Sequence, residues 1–248
     1  MDFLQAVFLG VLQGLAEWLP VSSQGQVMAF AMSLFGIAPE QAFQYAVFLH
    51  IGTLVSAILF FRKDLVSLVK QKDFELGKFV LFALAGTGLV GLPAYLFLKN
   101  FFSSPFLLMI LIGIALIFTG LIQFKKQAPK NEVSSKNGFF TGLAQGFSII
   151  PGVSRSGITV SALLVQGFDA EQALRLSFIL SIPTVIVAEL FFSLFEGFAF
   201  EPMVLVAVAS AAIVGYASIA VLLKIARRIN FGFFCVALGL FYLALAFV

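Results

Sequence analysis

The stretch FFTGLAQGFSIIPGVSRSGITVSALLVQG, residues 139–167, decides the fold because it places a charge inside a run that is otherwise apolar enough for hydrocarbon. Arg155 keeps its charge at physiological pH, so in a membrane it must face a wet cavity or an anionic partner. Hydroxyl side chains and a glycine stand beside it: Ser154, Ser156, Gly157 and Thr159. Hydroxyls donate to phosphate oxygens, and a glycine lets backbone N–H groups approach a ligand closely. This cluster predicts a phosphate-binding site.

The composition of the chain is that of a polytopic membrane protein. Of 248 residues, 61% are hydrophobic and 11% charged, and several apolar runs approach the roughly 20 residues that cross a bilayer as a helix. Most of the basic residues cluster in short loops, so the net charge of +3 indicates topology signals and lipid contact rather than nucleic acid. With one cysteine and one histidine in the chain, any metal must rest on oxygen ligands.

An internal repeat relates the two halves of the chain. The segment EQAFQYAVFLHIGTLVSAILFF from Glu40 aligns without a gap to EQALRLSFILSIPTVIVAELFF from Glu171. The same offset matches two further pairs, Pro20 with Pro151 and Ser23 with Ser154. We therefore interpret residues 1–248 as a single transmembrane domain with three parts: repeat one (1–124), a polar linker loop (125–138) and repeat two (139–248).

The charges of the loops predict the orientation of each segment. Loops rich in Lys and Arg favour the cytoplasm, which places residues 62–78, 125–136 and 224–228 inside. Counting spans from these loops makes residues 3–35 and 139–167 each enter and leave on one face, in opposite orientations. The sequence thus predicts an all-α integral membrane fold, with six transmembrane helices plus two re-entrant helical hairpins in an inverted-topology repeat. The predicted spans are residues 41–61, 79–98, 105–124, 173–195, 203–223 and 231–248. We expect the two hairpin tips to meet at one polar site.

The first hairpin carries its own polar side chains. Gln13 and Glu17 are four residues apart, so on a helix they share one face. Their amide and carboxylate oxygens suit a hard divalent cation that keeps waters and also binds substrate phosphate. Two alternatives stay open. Glu17 is a base that activates a water or a serine hydroxyl, or it pairs with Arg155 to neutralise two buried charges.

The stretches QGLAEWLPVSSQGQ (residues 13–26) and PGVSRSGIT (residues 151–159) together resemble the two signature motifs of the undecaprenyl-diphosphate phosphatases, membrane enzymes associated with bacitracin resistance. The resemblance covers essentially the whole chain, including the LHIGTL segment. It implies hydrolysis of a long-chain polyprenyl diphosphate to the monophosphate and inorganic phosphate, with Mg²⁺ or Ca²⁺, which recycles a lipid carrier for envelope glycan synthesis. It also implies a multi-pass plasma-membrane protein whose site faces the outer side. A homodimer is one expectation for its assembly.

The resemblance further implies a role for each motif residue. The expected catalytic residues are Glu17, Ser23 and Arg155, and the expected cation ligands are Glu17 and Gln13. Phosphate binding falls to Ser22, Ser23, Gln26, Ser154, Arg155, Ser156, Gly157 and Thr159. For Ser23 we favour phosphate binding over a nucleophilic role.

One position departs from the family pattern. The family commonly has a histidine at the end of the first motif, and this chain has Gln26, which cannot shuttle a proton. Either the cation, Glu17 and Arg155 suffice for hydrolysis, or activity is weakened. The alternative functions on the same fold are a polyprenyl-phosphate carrier or flippase and a non-hydrolytic lipid-binding relative.

Two titratable residues outside the motifs are predicted to have structural rather than catalytic roles. His50, the only histidine, falls in the middle of a predicted span, and we interpret it as a residue that packs the helix bundle through a hydrogen bond. Glu189 is interpreted as a packing or solvent contact near the outer surface.

Overall fold

The computed structural model describes residues 1–19, 21–98, 110, 113–114, 117–118, 120–121, 132–149, 153–195, 201–225 and 231–245. The regular elements in these ranges are all helical. In chain order they are α1 (Phe3–Ala16), α2 (Ser23–Phe35), α3 (Pro39–Phe60), α4 (Arg62–Val69), α5 (Phe74–Leu98), α6 (Ser135–Gly146), α7 (Arg155–Val165), α8 (Ala170–Phe195), α9 (Pro202–Ile225) and α10 (Phe231–Leu245), with a short 3-10 turn at Phe147–Ile149.

Within the described residues, four helices are long and apolar enough to cross a membrane: Pro39–Phe60, Phe74–Leu96, Ala170–Phe191 and Pro202–Ile225. The all-helical, multi-pass part of the prediction is thereby confirmed. By contrast, α1 has 14 residues and α7 has 11. At 1.5 Å per residue these helices are about 21 Å and about 17 Å long, which is less than the hydrocarbon core of roughly 30 Å.

Several predicted boundaries shift because side chains cap the helices. The predicted span 79–98 begins earlier, at Phe74, where Asp73 accepts a hydrogen bond from the Leu76 N–H at 3.0 Å. The helix α4 occupies part of the predicted loop 62–78. Ser134 caps α6, which therefore starts inside the stretch interpreted as linker. The predicted span 105–124 lies largely outside the described residues, so the count of six spans stays a prediction.

The chain forms two compact units. The first unit combines Met1–Arg62 with Phe178–Lys224, and the second combines Lys63–Ser177 with Ile225–Val248. Each unit therefore takes helices from both predicted repeats. In the first unit, α1, α2, α3 and α9 share one core, whose members include Leu9, Val27, Tyr45, Leu49 and Ala207.

In each unit two consecutive short helices lie against each other. In the first, the Phe8 ring of α1 packs on α2, with its centroid 5.8 Å from Phe30 and 5.6 Å from Phe35. In the second, Gln166 at the end of α7 donates from Nε2 to Thr141 Oγ1 of α6 at 2.9 Å. Both predicted hairpins are therefore helical hairpins. That they are re-entrant and inverted stays a prediction.

Candidate active site

The carboxylate of Glu17 is the centre of the polar cluster in the first unit. Glu17 follows the last turn of α1 and is only 4% exposed. Its Oε2 accepts hydrogen bonds from Ser23 Oγ at 2.6 Å and from Gln13 Nε2 at 2.9 Å. His50 Nε2 lies 3.3 Å from the same oxygen. Because a buried carboxylate needs donors to remain charged, three polar groups from three helices stabilise its ionised form.

Gln13 places an amide oxygen, which can act as a metal ligand, beside this carboxylate. Its Nε2 is used on Glu17, while its Oε1 is buried and, among the described residues, has no hydrogen-bond partner. An amide oxygen next to a carboxylate oxygen is the donor type that Mg²⁺ and Ca²⁺ prefer. The described part of the chain holds no group of three or more His, Cys, Asp or Glu side chains that could bind a metal. A cation here would therefore complete its shell with waters and substrate oxygens.

The loop between α1 and α2 adopts an unusual backbone. Ser22 caps α2 with φ 55° and ψ 76°, in the left-handed region that few residues other than glycine adopt. Such strain persists where the surrounding structure imposes it, and it is found most often at functional sites. The next residue, Ser23, begins α2, and its hydroxyl donates to the Glu17 carboxylate. Gln26 donates from Nε2 to the Val21 carbonyl at 3.2 Å and thereby ties the same loop.

The helix α9 supports α1 and α3, two of the three helices that carry the cluster. A Cβ on Gly14 of α1 would lie 2.8 Å from the Gly215 nitrogen, and one on Gly52 of α3 would lie 2.3 Å from the Val208 carbonyl oxygen. Ser56 of α3 also donates to the Ala212 carbonyl at 2.7 Å. Small residues at these contacts let helix backbones approach closely. The distance between α1 and α3 is therefore fixed by the close packing of both helices on α9.

The indole ring that follows Glu17 anchors the end of α1. Trp18 is 1% exposed, and its Nε1 donates to the Gly215 carbonyl at 3.0 Å. Its ring packs on Phe178, with centroids 5.0 Å apart. These contacts hold the residue next to the central carboxylate, so the position of Glu17 does not depend on a mobile loop.

Two titratable residues near this cluster are not among the predicted site residues. His50 contacts Glu17 itself, which is compatible with the predicted packing hydrogen bond and gives that bond a predicted site residue as its partner. Glu189 on α8 is half-buried and within electrostatic range of both Glu17 and His50. The signal was present in the sequence, because a titratable side chain within an apolar spanning helix is costly and is therefore a functional candidate by default.

The second motif forms the start of α7 in the second unit. Ser154 caps the helix, its Oγ accepting from the Gly157 N–H at 3.1 Å and lying 3.0 Å from Ser156 Oγ. Arg155 is the first residue of the helix and is half-buried. A helix N-terminus with an arginine and two hydroxyls concentrates donors and positive charge, which suits phosphate.

Thr159 lies one turn further along α7 and points into the protein. It is fully buried, and its Oγ1 lies 2.5 Å from Ser177 Oγ and donates to the Arg155 carbonyl at 2.8 Å. Its contacts hold the motif turn against α8, and Ser177 is a partner that the sequence did not single out. A direct contact of Thr159 with phosphate stays a prediction.

The structure thus brings together Gln13, Glu17 and Ser23 of the first motif in one unit, and Ser154, Ser156, Gly157 and Thr159 of the second motif in the other. The two motif prolines, Pro20 and Pro151, lie outside the described residues. The predicted meeting of the two hairpin tips stays a prediction.

Comparison with known proteins matches the whole length of the chain. A family profile described as "Bacitracin resistance protein BacA" matches residues 6–241. A relative named undecaprenyl-diphosphatase from Methanothrix thermoacetophila is 40% identical over 254 residues, covering 99% of this chain and 97% of the relative. Relatives of the same name from Methanococcoides burtonii and Haloarcula marismortui are 38% and 37% identical, and cover 96% and 95% of this chain and 96% and 94% of the relatives.

Proposed function

The chain belongs to the bacitracin resistance protein BacA family, and from that premise we propose that it is an undecaprenyl-diphosphatase. It hydrolyses undecaprenyl diphosphate with one water to undecaprenyl phosphate and inorganic phosphate. The bond that breaks joins the terminal phosphorus to the bridging oxygen, which stays with the lipid. The product is the monophosphate lipid carrier, which becomes available again for envelope glycan synthesis.

The observation that carries this proposal is the buried carboxylate of Glu17, with its Oε2 held by Ser23 and Gln13. An ionised carboxylate in an apolar surrounding is costly to maintain, so its donors point to a role beyond packing. In a hydrolase such a group orients the attacking nucleophile and accepts its proton. We assign this role to Glu17.

Water is the nucleophile that we favour. Ser23 Oγ is within hydrogen-bond distance of Glu17, as an activated serine would be. Its proton is directed to the carboxylate, yet its position as the first residue of α2 also suits binding of a phosphate oxygen. We therefore assign Ser23, together with Ser22, to binding and orienting the diphosphate.

The second motif is assigned to phosphate binding. Arg155 offers a planar fork of N–H donors, and α7 adds the backbone N–H groups of its first turn. The hydroxyls of Ser154 and Ser156 lie at the same helix end. As the bond to the terminal phosphorus breaks, negative charge moves onto the bridging oxygen of the leaving monophosphate, so donors that contact this group stabilise the transition state more than the ground state.

A divalent cation, Mg²⁺ or Ca²⁺, is proposed at Glu17 and Gln13. The buried Gln13 Oε1 beside the carboxylate supports this assignment. When bound, such a cation neutralises charge on the diphosphate oxygens. The remaining ligands would be waters and substrate oxygens.

The finer parts of the fold and location are proposals as well. We propose six spans and two inverted re-entrant hairpins, and the lengths of α1 and α7 support the hairpins. The protein lies in the plasma membrane with its site open to the outer side. A homodimer is the proposed assembly.

The test is phosphate release from undecaprenyl diphosphate by the purified protein in detergent, with Mg²⁺, with Ca²⁺ and with a chelator. We expect cation-dependent turnover that Glu17→Gln lowers by about 10²-fold to 10⁴-fold, the usual contribution of an acid–base group. Glu75→Gln is the matched control, because Glu75 is exposed on α5 and pairs with Lys78. A wild type that binds the lipid but releases no phosphate with any cation would refute the proposal and favour a carrier.

A further inference from the structure

We propose that His50 is a positioning residue for the hydrolysis, which holds the Glu17 carboxylate in its reactive orientation from a separate helix. The inference rests on the proposed phosphatase function and adds to it a residue outside the two signature motifs. It also identifies how this chain brings an imidazole to the site, although the first motif ends in glutamine.

The contact places the imidazole edge on the carboxylate. His50 Nε2 is 3.3 Å from Glu17 Oε2, and the two side chains are 18% and 3% exposed. On the other edge, Nδ1 lies 3.2 Å from the Val47 carbonyl. The Val47 carbonyl lies within α3, where it accepts a backbone hydrogen bond of the helix. Glu17 Oε2 is therefore a stronger acceptor for the ring proton than the Val47 carbonyl. We therefore assign the ring proton to Nε2, where it faces Glu17.

Three side chains from three helices converge on one oxygen of Glu17. Gln13 comes from α1, Ser23 from α2 and His50 from α3. A carboxylate held at a single oxygen from several directions can no longer rotate about its Cγ–Cδ bond without losing contacts. The orientation of its second oxygen is thereby determined as well. His50 is the only one of the three outside the first motif. The third contact to Glu17 Oε2 therefore depends on the position of α3.

The separation between His50 and Glu17 is set by backbone packing rather than by flexible side chains. Gly14 is the residue after Gln13 on α1 and lies directly against Gly215 of α9, and Gly52 lies two residues after His50, against Val208 of the same helix. Added Cβ atoms at Gly14 and Gly52 would come within 3 Å of α9 backbone atoms. The two helices therefore approach α9 as closely as their backbones allow, and the imidazole meets the carboxylate as a result.

The glutamine that ends the first motif is used differently. Gln26 donates to the Val21 carbonyl and so braces the loop that leads into α2. The single imidazole of the chain comes from α3 instead. Glu189 lies within electrostatic range of both His50 and Glu17.

The experiment compares two polar substitutions that differ only in reach. His50→Gln keeps an N–H donor at about the same distance from the backbone, whereas His50→Asn withdraws it by one methylene. Gln41→Asn is the matched control, because it shortens an amide on the same helix whose Nε2 donates to Glu201 at 2.8 Å, away from Glu17. Phosphate release is measured over a range of undecaprenyl diphosphate concentrations, and the thermal unfolding midpoint of each variant is recorded in detergent.

We expect kcat of His50→Asn to fall about 10-fold to 100-fold, the effect of losing a charge-assisted contact, with KM within about threefold of the wild type. His50→Gln restores kcat to within about fivefold, and Gln41→Asn leaves kcat unchanged. Equal kcat for the wild type and His50→Asn overturns the inference, as does an equal loss in His50→Gln and His50→Asn. A wild type without phosphate release instead refutes the proposed function, so the two failures are distinguishable.

Discussion

The Ser23 hydroxyl joins the two helices of the first hairpin through its hydrogen bond to Glu17 at 2.6 Å. Ser23 is 8% exposed, and Ser22 before it has the same exposure and a left-handed backbone. The strained residue turns the chain so that the next hydroxyl reaches back six residues to the carboxylate. At the scale of single residues, the site therefore depends on one backbone conformation as much as on the side chains it presents.

Ser23→Ala distinguishes an orienting serine from a nucleophilic one. We expect about 10-fold to 100-fold lower kcat with measurable residual turnover, since one hydrogen bond to a charged group is lost and water remains available. Phosphate release is the measurement, and Ser33→Ala is the control, because the Ser33 hydroxyl donates only to Ala29 of its own helix among the described contacts. Complete loss of turnover, together with a phosphorylated serine in the wild type, would assign Ser23 as the nucleophile instead.

The helix α9 is the element on which the first unit depends. It contacts α1 through Gly10 and Gly14, and it contacts α3 through Gly52 and Ser56. Both helices carry polar groups of the site, yet α9 contributes its backbone and small side chains. Helices in a membrane associate through such close packing and interhelical hydrogen bonds, since lipid offers no hydrophobic driving force between them.

Gly52→Ala tests this packing. The new Cβ would lie 2.3 Å from the Val208 carbonyl oxygen, so the helices must separate at a cost of about 1–3 kcal/mol. We expect a lower thermal unfolding midpoint in detergent and reduced phosphate release. Gly88→Ala on α5 is the control, because among the described residues no atom from beyond the adjoining turns of α5 lies within 4 Å of the added Cβ. Equal midpoints for Gly52→Ala and the wild type would show that α3 and α9 are not in close contact.

The start of α9 is linked to α3 through Glu201. Its carboxylate accepts from the Tyr45 hydroxyl at 2.7 Å and from Gln41 Nε2 at 2.8 Å, and the Met1 ammonium lies 3.5 Å away. The hydrogen bond from Tyr45, followed by the ammonium and Gln41, lowers the pKa of Glu201 below its usual value, although burial opposes the shift. The charged form is therefore favoured by folding.

The thermal unfolding midpoint should depend on pH through this carboxyl group. Because the pKa of Glu201 is lower in the folded state, its contribution is fully present above the unfolded value of about 4.5 and is lost as the pH falls through the folded value. We expect the midpoint to fall more steeply below about pH 4.5 in the wild type than in Glu201→Gln. Parallel curves for the two proteins would contradict this assignment.

At the scale of the whole molecule, the predicted topology can be tested with single cysteines. The chain has one cysteine, so Cys235→Ser provides a cysteine-free background. Ala38 and Lys72 are exposed at the two ends of the α3–α4 segment, and the sequence predicts them outside and inside, respectively. In intact cells, a membrane-impermeant maleimide should label Ala38→Cys, and it should label Lys72→Cys only after permeabilisation. The reverse pattern would place the proposed site on the cytoplasmic side.

Much of the fold could be predicted because membrane helices are local. The four spanning helices coincide with apolar runs, since backbone polar groups in lipid must be satisfied within the helix itself. The start of α5 was misplaced, because a single Asp73 cap, rather than hydropathy, decides where that helix begins. The span predicted from Ala173 begins three residues earlier, at Ala170, because the acidic Glu171 falls in the first turn and favours the helix N-terminus.

The sequence by itself determined the class of the protein and the residues of its two motifs. The length of each apolar run, and the polar residues within it that cost free energy to bury in a membrane, can both be identified from the linear sequence. Only the tertiary structure decided which of those groups share one carboxylate. His50 and Glu17 are 33 residues apart and meet because α1 and α3 both pack on α9, a helix nearly two hundred residues further along the chain. Hydropathy cannot encode that contact, since it depends on how closely small residues let backbones approach.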